Sequence, residues 1–281
     1  MVNGVVGGSS FAWMGRKRMY KFDLHCHTKE GSIDAHIGVV DYARLLKIQG
    51  YSGMLVTDHD SYKGYNAWKN LEKKPKELED FVVLKGIEYD TRNGGHVLVI
   101  LPDGVDCPLL EKQGLGLRKL AHIVHEMGGV IGAAHPFGYG YFAIMNTRLF
   151  RKNPDVLYLF DFIETFNAGV RVYSNLLAKQ LAAILRKPET CGSDAHVAEL
   201  IGTAYTAFKH PITCNNDLIH VIREREKVRM GARRTPNMYK NRNVIIKNLG
   251  IYGYWTYNKL QFVINSLGRT NEIRKMPLRY V

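Results

Sequence analysis

The stretch Lys21-Phe22-Asp23-Leu24-His25-Cys26-His27 joins the pattern of a buried strand to two histidines one residue apart. Alternate residues of a strand point to the same face, so His25 and His27 can direct both imidazoles towards one ion. Cys26 lies between them, faces the other way and is expected to be a small core residue. The stretch therefore predicts a strand whose carboxyl end carries chemistry.

The same design recurs further along the chain. Short apolar runs alternate with longer amphipathic stretches, which is typical of β/α units and a parallel sheet. Helices with apolar residues at spacings of three and four are predicted at 39–49, 116–127 and 170–185. Strands are predicted at 21–24, 53–57, 82–87, 96–101, 130–134, 162–165, 190–193 and 203–208. Such units close into a barrel or form an open doubly wound sheet, and both place function at the carboxyl ends of the strands.

Residues that bind metals stand at the ends of nearly all these strands. One such histidine is weak evidence, but several independent strand ends seldom acquire them together by chance. Mixed histidine and carboxylate ligands suit Zn, Mn or Fe better than Ca or Mg, which prefer oxygen. The residues are His25, His27, Asp58, His59, Glu88, His96, His135, Glu164, Asp194 and His196. Their recurrence predicts a metal centre at one edge of the sheet.

Four motifs, in chain order, resemble those of the PHP (polymerase and histidinol phosphatase) phosphoesterases. They are Asp23-Leu24-His25-Cys26-His27-Thr28, Thr57-Asp58-His59-Asp60, Ala134-His135-Pro136 and Gly192-Ser193-Asp194-Ala195-His196. One of them alone would be unspecific, whereas all four in order are highly specific. The resemblance covers residues 21–208 and implies a distorted seven-stranded β/α barrel of the PHP type. It also implies two or three divalent metal ions, Mn, Fe or Zn, at the carboxyl face of the barrel.

Carried over position by position, the resemblance implies three groups of ligands. The first two groups would be His25, His27, Glu88 and Asp194, and then Glu88 again, as a bridge, with His96 and His135. The third group would hold His59, His196 and a carboxylate from the loop after the first motif. Asp34 is expected there, because Ser32-Ile33-Asp34 looks like the corresponding loop of bacterial replicative polymerase PHP domains. His36 is the competing candidate.

Phosphate groups away from the reacting centre usually need Arg or Lys. Lys29, Arg92 and Arg171 are close enough in sequence to strand ends to be candidates for this role. Glu164 and Asp58 are expected to orient the metal ligands rather than to bind metal themselves.

The charge of the chain is concentrated near its C-terminus. The formal net charge is +13, and from Lys209 onwards 15 Lys or Arg stand against 4 Asp or Glu. This basic region could attract nucleic acid, or it could be a solvated helical surface. We therefore predict a flexible N-terminal extension at 1–18, a barrel at 19–210 and a basic C-terminal region at 211–281 that could pack on the barrel. Four scattered cysteines and no long apolar run predict a cytoplasmic protein that does not enter a membrane.

The leading hypothesis from these observations is a metal-dependent phosphoesterase. A metal-activated hydroxide would cleave a phosphoester bond of a small phosphorylated metabolite or nucleotide. The alternative within the same class is a nuclease or a 3′,5′-nucleotide bisphosphate phosphatase. The short separation between His96 and His135 leaves little room for the substrate-binding insertion of the bisphosphate enzymes. The alternative from another class is a non-catalytic module that binds metal and nucleic acid.

Overall fold

The computed structural model describes residues 19–233 and 244–276, with the backbone alone for 244–252, 254 and 255. Nine strands form one sheet in the order β7-β6-β5-β4-β3-β2-β1-β8-β9. Their bounds are β1 Tyr20–Cys26, β2 Gly53–Val56, β3 Val82–Asp90, β4 His96–Ile100, β5 Val130–Ala133, β6 Phe162–Asn167, β7 Glu189–Gly192, β8 Ala204–Phe208 and β9 Arg229–Ala232. The predicted extension at 1–18 lies outside the described residues.

Seven α-helices connect and follow the strands. They are α1 Val39–Ile48, α2 Lys63–Lys69, α3 Leu117–Glu126, α4 Arg148–Lys152, α5 Val172–Leu185, α6 Asn215–Arg223 and α7 Val244–Lys275. The helix α3 shows why these segments are helical, because its buried residues Leu117, Leu120, Ala121 and Val124 follow the spacing of one helix face. His122 and His125 are exposed on its other face, away from the strand ends.

The sheet is mixed, which corrects the expectation of a parallel sheet. Strands β1 to β3 pair in parallel, and so do β5 to β7. In contrast, β4 runs antiparallel to both of its neighbours, and β8 runs antiparallel to β1 and β9. Only residues 91–95 connect β3 to β4. A parallel pair needs a crossover of about a dozen residues, so this short connection allows only a reversal.

The sheet curls until β7 meets β1, which makes the barrel nearly closed. The amide N–H of Asp194, just after β7, donates to the carbonyl of His25 in β1 at 2.9 Å. A Cβ on Gly192 would lie 2.3 Å from the Cβ of His25, so only glycine permits this approach. The barrel type expected from the motifs is therefore the observed fold.

The apolar core has three parts. The barrel interior contains Phe22, Leu24, Leu55, Leu84, Leu98 and Phe162, together with Leu218 and Ile222 of α6. A second cluster packs α1 and α2 against the sheet, and a third lies under α3 and α5. The interior is thus filled with apolar side chains, and polar groups collect at one edge of the barrel. Residues 211–233 add α6 and β9 to the same barrel, and the predicted boundaries at 18 and 210 stay predictions.

The helix α7 lies against the loop that precedes α3. Phe262 of α7 is buried, and the Arg269 guanidinium donates to the carbonyl of Gln113. Asn258 of α7 is also buried, and its amide donates to the carboxylate of Asp90 at the end of β3. The side chains of Tyr252, Tyr254 and Trp255 lie outside the described part of the chain.

Candidate metal centre

The two histidines of the first motif lie side by side at the end of β1. The register of β1 on β2 shifts between Asp23 and Cys26. Such an irregularity changes the alternation of side chains. Phe22 and Leu24 therefore belong to the barrel interior, and the buried rings of His25 and His27 follow on that side with their centroids 5.1 Å apart. Cys26 packs against α1, as expected.

A buried carboxylate, Glu88 of β3, lies at the centre of the cluster. Its Oε2 is 3.3 Å from Nε2 of His25 and 3.3 Å from Nε2 of His27. Among the described residues, none gives a hydrogen bond of good geometry to these three atoms, and all three are buried. Donor atoms that converge without satisfying one another are typical of ligands around a cation. The donor set therefore fits the metal group that the sequence predicts.

Asp194 completes this first group from the end of β7. Its Oδ1 is 3.1 Å from Nε2 of His27 and 3.5 Å from Nε2 of His25. Its φ of 53° lies in the left-handed region, which a non-glycine residue seldom adopts. His135, at the end of β5, has a φ of 28°. Such strain clusters at functional sites, because the surrounding structure holds the side chain in place.

The other oxygen of Glu88 faces a second group. Its Oε1 is 3.0 Å from Nδ1 of His96 and 2.9 Å from Nε2 of His135. His96 begins β4 rather than ending it. Because β4 is reversed, His96 pairs with Asp90 at the end of β3 and lies at the same edge as the other residues. The structure thus brings together all the residues predicted for the first and second groups.

The third group is more open. Oδ2 of Asp34 is 3.3 Å from Nε2 of His196 and 3.8 Å from Nε2 of His59. His59 also contacts Oε2 of Glu88, at 3.2 Å, which places it between the groups. The competing candidate, His36, has an exposed side chain, and its backbone N–H donates to the carbonyl of His196. This geometry favours Asp34.

Among the described residues, three groups of histidine and carboxylate side chains could hold a metal ion. In each group the ligand atoms all lie within 4.8 Å of one another. One is the predicted first group, with all four of its members. The other two differ from the prediction, because His59 joins Glu88 and His96, and His27 joins the pair formed by His59 and His196. The groups are His25, His27, Glu88 and Asp194; His59, Glu88 and His96; and His27, His59 and His196.

Two further carboxylates hold the histidines in position. Glu164 of β6 accepts from Nδ1 of His25 at 2.9 Å and from the backbone N–H of His135 at 2.7 Å. Ser32 links His27 to Asp58, because its Oγ lies 3.1 Å from Nδ1 of His27 and donates to Asp58 at 3.0 Å. Partners of this kind fix the tautomer and orientation of a ligand.

The cluster strongly favours the binding of positive charge. Burial works to raise the pKa of Glu88, but the imidazoles of His96, His25 and His59 outweigh it and hold that pKa well below its usual value. Burial works to lower the pKa of His27, but the nearby carboxylates of Asp194 and Glu88 outweigh it and raise that pKa to about 10. The site therefore stabilises cationic charge between its carboxylates, as a divalent metal site does.

The predicted phosphate-binding residues lie on the rim. Lys29, Arg92 and Arg171 are all exposed. The guanidinium of Arg171 is 5.7 Å from the centre of the Tyr139 ring. Arg92 follows Asp90 by two residues and lines two cavities. None of the three contacts the metal cluster within the described residues, so their role in binding phosphate stays a prediction.

Sequence reasoning missed a carboxylate pair behind His96, in which Asp90 is buried and Asp60 is half-buried. Asp60 accepts from the backbone N–H of Asp90 at 2.9 Å, and Asp90 accepts from Asn258. Burial raises the pKa of Asp90 to about 6. Asp60 belongs to the second motif, so the sequence gave a partial indication of this pair. Asn258 is too distant in sequence to be linked to it.

Comparisons with known proteins agree with the motifs. The profile of a family described as PHP-associated matches residues 172–226. No curated protein matches the chain in sequence. PsfC from Pseudomonas syringae is 16% identical, with a TM-score of 0.58 over 90% of this chain and 98% of its own.

Two other solved structures share the fold. The lesion-specific endonuclease Q from Pyrococcus furiosus is 17% identical, with a TM-score of 0.56 over 76% of this chain and 58% of its own. A protein from Bifidobacterium adolescentis, assigned as a metal-dependent phosphoesterase, is 14% identical, with a TM-score of 0.51 over 63% of this chain and 88% of its own. The fold and the family profile confirm the resemblance to the PHP phosphoesterases. Among the described helices, none has the length and apolar character needed to cross a membrane.

Proposed function

We propose that this protein is a metal-dependent hydrolase that cleaves phosphoester bonds. The observation that carries the proposal is the buried Glu88 carboxylate, with His25, His27 and His59 near one oxygen and His96 and His135 near the other. A carboxylate placed in this way would hold divalent cations together with these histidines. We assign two or three divalent ions to the predicted ligands His25, His27, Asp34, His59, Glu88, His96, His135, Asp194 and His196.

The residues of the chain supply binding, orientation and access. When bound, the ions lower the pKa of coordinated water and neutralise the charge on phosphate oxygens. Glu88, His25 and Glu164 form the buried side of the cluster and are almost inaccessible to water. Asp34 and His196 form the open side, with 45% and 27% of their side-chain surface exposed. Asp34 and His196 therefore leave part of the cluster accessible to a phosphate group.

The neighbours in structure support this class of reaction. One is assigned as a metal-dependent phosphoesterase, and another is a lesion-specific endonuclease of which this chain spans 58%. The described ligand positions are all filled by residues of suitable chemistry, which favours a working centre over a module that only binds metal.

The direct test is hydrolysis of small phosphoesters by the purified chain with added Mn²⁺. Bis(4-nitrophenyl) phosphate, 4-nitrophenyl phosphate and a 3′,5′-bisphosphate nucleotide distinguish diesterase, monoesterase and bisphosphate phosphatase. We expect turnover of at least one compound, its loss on chelation, and its return when Mn²⁺ is restored. A folded protein that retains metal, measured by elemental analysis, but cleaves none of them would overturn the proposal and favour the binding module.

A further inference from the structure

A cleft with basic walls begins beside the metal cluster. Its floor is the turn between β3 and β4, and its walls are the 146–151 segment, the start of α3, and α7. We name this cleft the basic trough. The cations that line it are Arg92, Arg118, Lys119, Arg148, Arg151, Lys259 and Arg269.

The trough carries little compensating negative charge. Among the described residues, its lining includes one carboxylate, Asp90, which is buried and accepts from Asn258. Arg118, also in the lining, pairs with Asp155 at 2.9 Å. Within the described residues, Arg92, Arg148 and Arg151 make no ion pair. A concave surface of one charge sign concentrates ions of the opposite sign.

The trough is longer than one phosphate site. It consists of cavities of about 320 and 380 Å³. The two cavities share Arg92, Asn93 and Leu149 in their lining, so they are adjacent. Each cavity is the size of a pocket for one small-molecule group. Together they offer room for successive units of a narrow chain.

The inner end of the trough adjoins the cluster. Gly95 and Asp90 line this end of the trough. Gly95 precedes His96 in the sequence, and Asp90 of β3 is paired with His96 of β4. Tyr141 lines the same end, and its ring lies 4.1 Å from that of Phe142, which in turn lies 4.8 Å from that of His96. An aromatic ring in a basic groove provides a surface on which a base can stack.

We propose that the basic trough binds a single-stranded nucleic acid and directs one of its phosphodiesters towards the metal cluster. The proposal rests on the proposed function and specifies its substrate class. Separate cations along both cavities match the regular spacing of charge along such a strand, whereas a small phosphorylated metabolite would occupy one cavity and leave the other cations unused. Arg148, Arg151, Lys259 and Arg269 are the residues newly assigned to this binding.

The test measures the affinity of the protein for a fluorescein-labelled thymidine strand of about 12 nucleotides. Fluorescence anisotropy gives this affinity at KCl concentrations between about 50 and 300 mM. The double variant Arg148→Gln/Arg151→Gln removes two cations from α4, where both are exposed. We expect its affinity to fall at least about tenfold at low salt. Each lost phosphate contact changes the slope of log K against log salt by about 0.7, so the slope becomes shallower by about 1.4.

The matched control is Lys69→Gln/Lys73→Gln, which removes the same charge from exposed positions outside the trough. We expect it to bind the strand as the wild-type protein does. Arg92→Gln, on a different element, provides an independent second variant. Equal affinity of the wild-type protein and both trough variants, or equal affinity for a duplex of the same length, would overturn the proposal. Hydrolysis of bis(4-nitrophenyl) phosphate by the wild-type protein decides the proposed function separately, because that small diester does not need the trough.

Discussion

The metal cluster and the basic trough adjoin each other but are built differently. In the cluster, buried residues at strand ends touch two or more partners each, as Glu88 does with five histidines. In the trough, the cations stand on a turn, a short helix and α7, and most of them are exposed. The cluster fixes its groups before any substrate arrives, whereas Arg92, Arg148 and Arg151 of the trough are exposed and make no ion pair within the described residues.

This difference in burial leads to two kinds of electrostatic interaction. Charges in a buried, water-poor site interact strongly and need no reorganisation. Exposed cations are screened by salt and contribute through their number rather than their placement. We therefore expect changes in the cluster to alter turnover at any salt concentration, and changes in the trough to alter substrate binding mainly at low salt.

The largest effect is expected from Glu88→Gln, which removes the central charge of the cluster while keeping its shape. We expect the turnover of a small phosphodiester to fall about a thousandfold or more, equivalent to about 4 kcal/mol of transition-state stabilisation. Steady-state rates with excess Mn²⁺ measure this loss, and elemental analysis measures the bound metal. Glu79→Gln, an exposed position three residues before β3, is the control and should keep the wild-type rate. A Glu88 variant with more than a tenth of that rate would show that the cluster is not the reacting centre.

A smaller effect is expected from Glu164→Gln. Glu164 contacts no predicted ion directly but accepts from His25 and from the backbone of His135. Loss of such a supporting carboxylate typically reduces metal affinity or activity about 10- to 100-fold. A titration of activity against Mn²⁺ should show a weaker apparent affinity for the metal, with turnover partly restored at saturation. Glu189→Gln, at the other end of the neighbouring strand, should leave the titration unchanged. An unchanged Glu164→Gln variant would mean that the barrel positions His25 without this bond.

Much of the barrel could be predicted from local patterns. The predicted strand at 53–57 corresponds to Gly53–Val56, and the predicted helix at 116–127 corresponds to Leu117–Glu126. The reversal of β4 was missed, because apolar alternation carries no information about strand direction. Its signal was the length of the connection, since residues 91–95 are too few for a crossover.

The candidate site was more predictable than the trough. Strand ends gather at one edge, so residues such as His25, Glu88 and Asp194 could be grouped from their place in the sequence. The link between Asn258 and Asp90 joins residues at opposite ends of the chain, and no local pattern reports it. The trough depends on the position of α7, and for that reason the sequence left open whether the basic region attracts nucleic acid or is a solvated surface.

Gly192→Ala tests how closely the cluster is tied to barrel closure. An added Cβ would lie 2.3 Å from the Cβ of His25, so β7 would have to move away from β1. Overpacking of this kind costs about 1–3 kcal/mol, and the midpoint of thermal unfolding should fall accordingly. The contrasting variant is Gly253→Ala in α7, where a Cβ meets nothing within 4 Å. An alanine there should stabilise the helix by up to about 1 kcal/mol, so equal shifts in both variants would argue against a special closure at Gly192.

The smallest effect is expected at Asn258, where the two regions meet. Its side chain is buried, and it donates to Asp90, the strand partner of His96, while its helix forms a wall of the trough. Asn258→Ala leaves a buried carboxylate without this donor, which costs about 1–3 kcal/mol locally, part of which is recovered by protonation of Asp90. We expect a two- to fivefold weaker binding of the thymidine strand, measured by anisotropy, and the control Asn265→Ala on the same helix should bind as the wild-type protein does. If α7 forms a wall of the trough, a displaced α7 moves Lys259 and with it part of the positive charge, so strand binding must weaken. A variant with a lower unfolding midpoint but unchanged strand binding would therefore show that α7 stabilises the barrel without shaping the trough.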